Sequence, residues 1–207
     1  MRQNRKNKRF VYLISPNKIK NKDFYNKLHQ VLSSKKVGFF QLRLKKENIR
    51  NKIFIGKKIK KICKKYQVKF LINDDPMLAK KVNADGCHLG QKDMNILKAR
   101  KILKNKIIGI TCHNSINLAK KAVADGASYL AFGAFYSSKT KKVKYKASLK
   151  ILSLAKKLTN TPIVAIGGIK DTNYKKLLLN KANFLAISSY IWNNKKLNPK
   201  EAISKII

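Results

Sequence analysis

Acidic residues are scarce in this chain: nine Asp and Glu face 49 Lys and Arg across 207 residues, a formal charge of +40. Such a surplus ordinarily points to a nucleic-acid partner, but nucleic-acid binders gather their charge on one face. Here lysines run through every segment, and Lys far outnumbers Arg, the better reader of bases. No specific nucleic-acid partner is therefore expected, and the abundance of Lys, Asn and Ile resembles the bias of AT-rich coding. Cysteine is also sparse: Cys63, Cys87 and Cys112 are odd in number and lack metal-ligand spacing, which argues against a disulfide framework and for a reduced, cytoplasmic setting. No apolar run reaches the ~18 residues of a membrane span. The apolar "FVYLI" behind the basic start "MRQNRKNKR" is shorter than the ~7–15 residues of a signal-peptide core. It reads as a first strand behind a frayed basic tail, residues 1–9.

What the chain does have is repetition. Short apolar runs recur as strand candidates: Arg9–Ser15, Gly38–Leu44, Val68–Asn73, Gly86–Gly90, Lys106–Thr111, Ser128–Gly133, Pro162–Gly168 and Asn183–Ser188. Helical patterns separate them at Asp23–Lys36, Ile49–Tyr66, Pro76–Val82, Asn95–Leu103, Ser115–Asp125, Ala147–Leu158, Thr172–Asn180 and Pro199–Ile206. Strands apolar on both faces, each followed by a crossover helix, predict a parallel sheet covered by helices. Eight such units predict the α/β class and a single (β/α)8 TIM barrel over residues 10–207. An open doubly wound sheet ranks second, because "LISPNKIKNK" lacks the glycines of a phosphate loop after the first strand.

In a barrel, reactive groups gather where strands end. "FFQLRLKKEN" places Gln41, Arg43 and Lys45 on alternate residues, so on a strand they share one face. Asp74, Asp75 and Asp93 put a third of the chain's carboxylates into two adjacent loops. Such crowding suits Mg²⁺, which takes one or two carboxylates and completes its shell with water and phosphate oxygens. Helix capping competes with that reading, most strongly for Asp75 before Pro76. Arg43, Lys45 and Lys141 are candidates for the other side of a polyphosphate. The backbone of Gly167 and Gly168, with Ser188 and Ser189, is a candidate phosphate-monoester site after strands seven and eight. His113 is a candidate acid or base or, equally, a structural histidine. His88 lies inside a strand and reads as packed, and Cys112 and His113 face opposite ways as strand neighbours.

The motifs "QLRLKK", "LINDDP", "DGCHLGQKDM", "IIGITCHNS", "AFGAFYSSKTKK", "VAIGGI" and "FLAISSYIW" resemble, in order and spacing, those of the thiamine-phosphate synthase family. The likeness spans Tyr12 to Trp192. It implies a (β/α)8 barrel that joins a pyrimidine diphosphate to a thiazole phosphate and releases pyrophosphate, with Mg²⁺ as cofactor. It further implies that Gln41, Arg43, Lys45, Asn73, Thr111 and Lys141 bind the pyrimidine diphosphate and that Asp74 and Asp93 hold the metal. Ser138, Thr140, Gly168, Ser188 and Ser189 would hold the thiazole phosphate, with Gly167 beside them. The chain departs from the family's usual pattern at Thr111, Ala134, Ser138 and Ser188. A thiazole tautomerase, which shares the barrel but makes no thiamine phosphate, is the alternative; it would not need the complete set of Lys45, Asp74, Asp93 and Lys141. The expected partners are two small phosphorylated substrates and no membrane, with a homo-oligomer left open.

Overall fold

Each apolar run pairs in parallel with the next, and the last returns to the first. The computed structural model describes residues 9–19, 23–137 and 144–206. Its strands are β1 (Val11–Ile14), β2 (Val37–Leu42), β3 (Lys69–Asn73), β4 (Gly86–Leu89), β5 (Ile107–His113), β6 (Tyr129–Gly133), β7 (Ile163–Ile166) and β8 (Phe184–Ile187). The helices are α1 (Asp23–Leu32), α2 (Ile49–Lys65), α3 (Pro76–Lys81), α4 (Ile96–Leu103), α5 (Ile116–Ala124), α6 (Lys150–Leu158), α7 (Tyr174–Leu179), α8 (Ser189–Trp192) and α9 (Pro199–Ser204). β1 pairs with both β2 and β8, so the sheet closes as an eight-stranded barrel and the open doubly wound alternative is excluded.

Period-two alternation sorts the strand residues between two apolar layers. Val11 and Leu13 of β1 face the helices, whereas Tyr12 and Ile14 join the barrel interior. In β2, Phe40 and Leu42 pack outward while Phe39 packs inward against Tyr12 and Phe184. Gln41 shares the Phe39 face, and with Ser15 it is one of two buried non-aromatic polar side chains among the described residues, at 2% exposure. The expected strand row is shorter than its pattern. β2 stops at Leu42, so Arg43 and Lys45 continue into the β2–α2 loop instead of standing on the strand.

Capping chemistry starts the helices where short polar residues precede them. Asp75 accepts a hydrogen bond from the Leu78 N–H at 2.9 Å, and Ser115 accepts one from Leu118 at 3.2 Å. The expected start at Thr172 is displaced to Tyr174, because Asp171 and Asn173 spend their side chains on the N–H groups of Thr172 and Lys170 in a preceding turn. The short α8 after β8 was not expected from the sequence. At the other face of the barrel, Arg9 donates to the carbonyls of Tyr66 (2.9 Å) and Gln67 (2.7 Å); residues 1–8 of the expected frayed tail lie outside the described residues. Among the described residues, no helix is long and apolar enough to cross a membrane.

Candidate active site

The ends of β2, β3 and β4 bring opposite charges together. Asp74 follows β3 with φ at +67°, a conformation that a non-glycine residue seldom adopts, and its N–H donates to the His88 carbonyl at 2.8 Å. Asp75 turns away to cap α3. Lys45 Nζ reaches Asp74 Oδ2 at 3.3 Å across the β2–β3 boundary. Asp93 Oδ2 accepts from the Gly90 N–H at 2.7 Å, and its carboxyl lies within hydrogen-bonding reach of Asp74. Burial and that neighbour push the Asp93 carboxyl up, against the Gly90 N–H and the Lys45 charge, which hold it down. A cavity of about 200 Å³ opens on the Lys45 and Asp74 side of this group, lined by Lys45, Lys52, Asn73, Asp74 and Asp75 over an apolar floor.

Ser15 supports the base of the site. This buried residue receives the Arg43 N–H on its hydroxyl at 2.9 Å, while its own N–H donates to the Gln41 carbonyl. Arg43 Nη1 donates to Asn17 Oδ1 at 2.8 Å, its one side-chain hydrogen bond among the described residues. Across the barrel, His88 is bracketed by hydroxyls: Nδ1 is 2.8 Å from the Tyr129 hydroxyl and Nε2 is 2.8 Å from Thr111 Oγ1. Burial pulls its imidazole down from the usual 6.5 to about 4. Between those values the unfolded chain binds a proton that the folded chain refuses, so stability holds above pH 6.5 and falls as the pH drops towards 4. The loss is at most about 3 kcal/mol. Urea midpoints should decline across that window, and His88→Gln should flatten the decline; an unchanged slope would contradict the assignment.

His113 does not join this group. A register shift between Thr111 and His113 turns the end of β5, and His113, at φ +53°, stacks on Tyr145 with ring centroids 4.2 Å apart. Cys112 is buried beside it, and burial pushes its thiol up to about 12, as it does for Cys87, so neither is a thiolate at neutral pH.

On the far side, Gly167 and Gly168 adopt φ of +105° and +60°. A Cβ on Gly168 would stand 2.2 Å from the Ser137 carbonyl, so only glycine lets the segment after β6 close over this turn. Ser188 Oγ donates to the Ser15 carbonyl at 3.2 Å, and Ser189 opens α8 next to it. Ser138, Thr140 and Lys141 lie outside the described residues.

Three comparisons bear on this arrangement. The family profile described as thiamine monophosphate synthase matches residues 11–191. The chain belongs to that family. A thiamine-phosphate synthase of Pelagibacter ubique is 75% identical over 206 residues, covering 100% of both chains. One from Nitrosomonas eutropha is 38% identical over 88% of this chain and 86% of its own. Among solved structures, thiamine phosphate pyrophosphorylase from Pyrococcus furiosus superposes with a TM-score of 0.84 at 27% identity, covering 98% of this chain and 96% of that one.

Within this synthase-family barrel, the structure brings together Gln41, Arg43, Lys45, Asn73, Asp74, Asp93 and Thr111 at the ends of β2 to β5. Gly167, Gly168, Ser188 and Ser189 stand at the ends of β7 and β8. Sequence reasoning missed three participants. His88 was read as packing, yet its ring bridges two polar groups of the interior. Tyr12 and Tyr129 looked like ordinary apolar strand positions, yet their hydroxyls meet at 2.8 Å. The one available signal was the phenolic oxygen itself, which needs a partner wherever it is buried.

Proposed function

We propose that the chain is a Mg²⁺-dependent transferase acting in the cytoplasm. It would join 4-amino-2-methyl-5-(diphosphooxymethyl)pyrimidine to 4-methyl-5-(2-phosphoethyl)thiazole, giving thiamine phosphate and pyrophosphate. The observation that carries this reading is the Asp74–Asp93 pair with Lys45 beside it, at the strand ends of a barrel of this family. A carboxylate close enough to raise the proton affinity of Asp93 makes the pair a fitting seat for a hard cation, which would relieve their repulsion. Mg²⁺ held there would neutralise charge on the diphosphate oxygens.

The reaction needs one bond broken and one formed. When the methylene–oxygen bond of the pyrimidine substrate breaks, its electron pair leaves with the diphosphate and the methylene carbon becomes cationic. The thiazole nitrogen then supplies the lone pair for the new C–N bond. Arg43, Lys45, Asn73, Thr111 and Lys141 bind and orient the departing diphosphate, while Gln41 holds the pyrimidine. Ser138, Thr140, Ser188, Ser189 and the Gly167–Gly168 backbone bind the thiazole phosphate. No covalent nucleophile is required, which agrees with the protonated state of the buried thiols. The protein supplies electrostatic stabilisation of leaving charge and the positioning of two partners.

Calorimetry separates this reading from a thiazole tautomerase. The synthase should bind the pyrimidine diphosphate with a heat that requires Mg²⁺. Binding of thiazole phosphate alone, with no response to the pyrimidine diphosphate, would replace the reading with the tautomerase.

A further inference from the structure

Four hydrogen bonds link five side chains in one line through the barrel interior. Gln41 Nε2 meets the Tyr12 hydroxyl at 3.0 Å, Tyr12 meets Tyr129 at 2.8 Å, Tyr129 meets His88 Nδ1 at 2.8 Å, and His88 Nε2 meets Thr111 Oγ1 at 2.8 Å. Five different strands supply these groups, and Gln41, Tyr12 and Tyr129 are each 2% exposed. The rings hold the line in place: Tyr129 packs edge-on against Tyr12 and lies parallel to His88, both at 5.7 Å between centroids.

A phenol has one proton to give, and a neutral imidazole has one N–H. Each inner group has two neighbours, so each link carries one proton and the line must be ordered in a single direction. An amide nitrogen only donates. With Gln41 Nε2 on Tyr12, therefore, Tyr12 must donate to Tyr129 and Tyr129 to His88 Nδ1. His88 then carries its proton on Nε2 and donates to Thr111. A break among Gln41, Tyr12 and Tyr129 strands a buried proton or lone pair, at a cost of about 1–3 kcal/mol, whereas the links to His88 and Thr111 are only partly buried. Turning the Gln41 amide over reverses every link and consumes the Thr111 proton.

We infer that Tyr12, Tyr129 and His88 are positioning residues that couple the two ends of the line. They hold Gln41 with Oε1 unspent as an acceptor, and Thr111 with its hydroxyl proton unspent as a donor. Among the described residues the Gln41 amide oxygen accepts no hydrogen bond, and the Thr111 hydroxyl has no partner besides His88. A ligand thus meets an acceptor at Gln41 and a donor at Thr111, which selects an amine-bearing ring joined to an anionic oxygen. That selection rests on the proposed substrate; the proton order does not.

The test is the tautomer of His88 in ligand-free, ¹⁵N-histidine-labelled protein at neutral pH, assigned by comparison with His88→Gln. The expected spectrum shows Nε2 protonated and Nδ1 bare. Nδ1 protonated would overturn the relay as ordered here. Tyr12→Phe should convert His88 to a mixture of tautomers and raise the KM for the pyrimidine diphosphate about tenfold, with kcat changed much less. Unmoved His88 signals in that variant would overturn the coupling. Should Tyr12→Phe fail to fold, Tyr129→Phe makes the same test, and the wild-type tautomer needs no variant. An Nε2–H signature in a protein without coupling activity would keep the relay and remove the proposed reaction.

Discussion

Asp93→Asn is expected to lower Mg²⁺-supported turnover by at least about 100-fold while leaving the fold intact. The substitution keeps an oxygen for the Gly90 N–H, so the turn after β4 retains its hydrogen bond. What it removes is one of the two charges that face each other across the β3 and β4 ends. Asp93→Ala should lose the same activity and, in addition, about 1 kcal/mol of stability for the unpaired Gly90 N–H. Steady-state pyrophosphate release, with circular dichroism as a check on folding, measures both effects. If Asp93→Asn kept full activity with an unaltered Mg²⁺ requirement, the carboxylate pair would not be the metal seat.

Lys45→Ala carries the second large effect. In a chain with 49 basic residues most lysines are solvated and expendable. Lys121, 75% exposed and paired with Asp125 along α5, is a fair example, and Lys121→Ala should change turnover less than about threefold. Lys45 differs by position: its ammonium stands 3.3 Å from Asp74, in the β2–α2 loop at the wall of the 200 Å³ cavity. In the proposed reaction a cation there would meet the diphosphate as negative charge grows on it. Its removal should reduce kcat about 100-fold with a smaller change in KM, because the interaction strengthens on the way to the transition state. A fall in Lys45→Ala no greater than in Lys121→Ala would return Lys45 to the solvated majority.

Much of this was legible in the sequence because barrels impose simple periodicities. Alternating apolar runs and amphipathic segments placed all eight strands within a few residues, and the scarcity of acidic residues made Asp74 and Asp93 conspicuous. Ordinary cap chemistry also separated Asp75 from its neighbour. Contacts between remote strands were not legible. Tyr12 and Tyr129 are 117 residues apart and meet only because β1 and β6 both send alternate residues into one interior. His88 sits amid apolar neighbours, so a one-dimensional pattern gave it no partner and favoured His113, which instead stacks on Tyr145. The strand row that ends in Lys45 was over-extended, since periodicity continues through a loop without regard to where strand pairing stops.

The most direct test of the central claim is a single incubation of the protein with both phosphorylated substrates and Mg²⁺, assayed together for pyrophosphate and for thiamine phosphate. Equal amounts of the two products are expected, with both absent when the metal is chelated. A fully folded protein that forms neither product, while a parallel reaction with the 75% identical Pelagibacter ubique relative forms both, would contradict it.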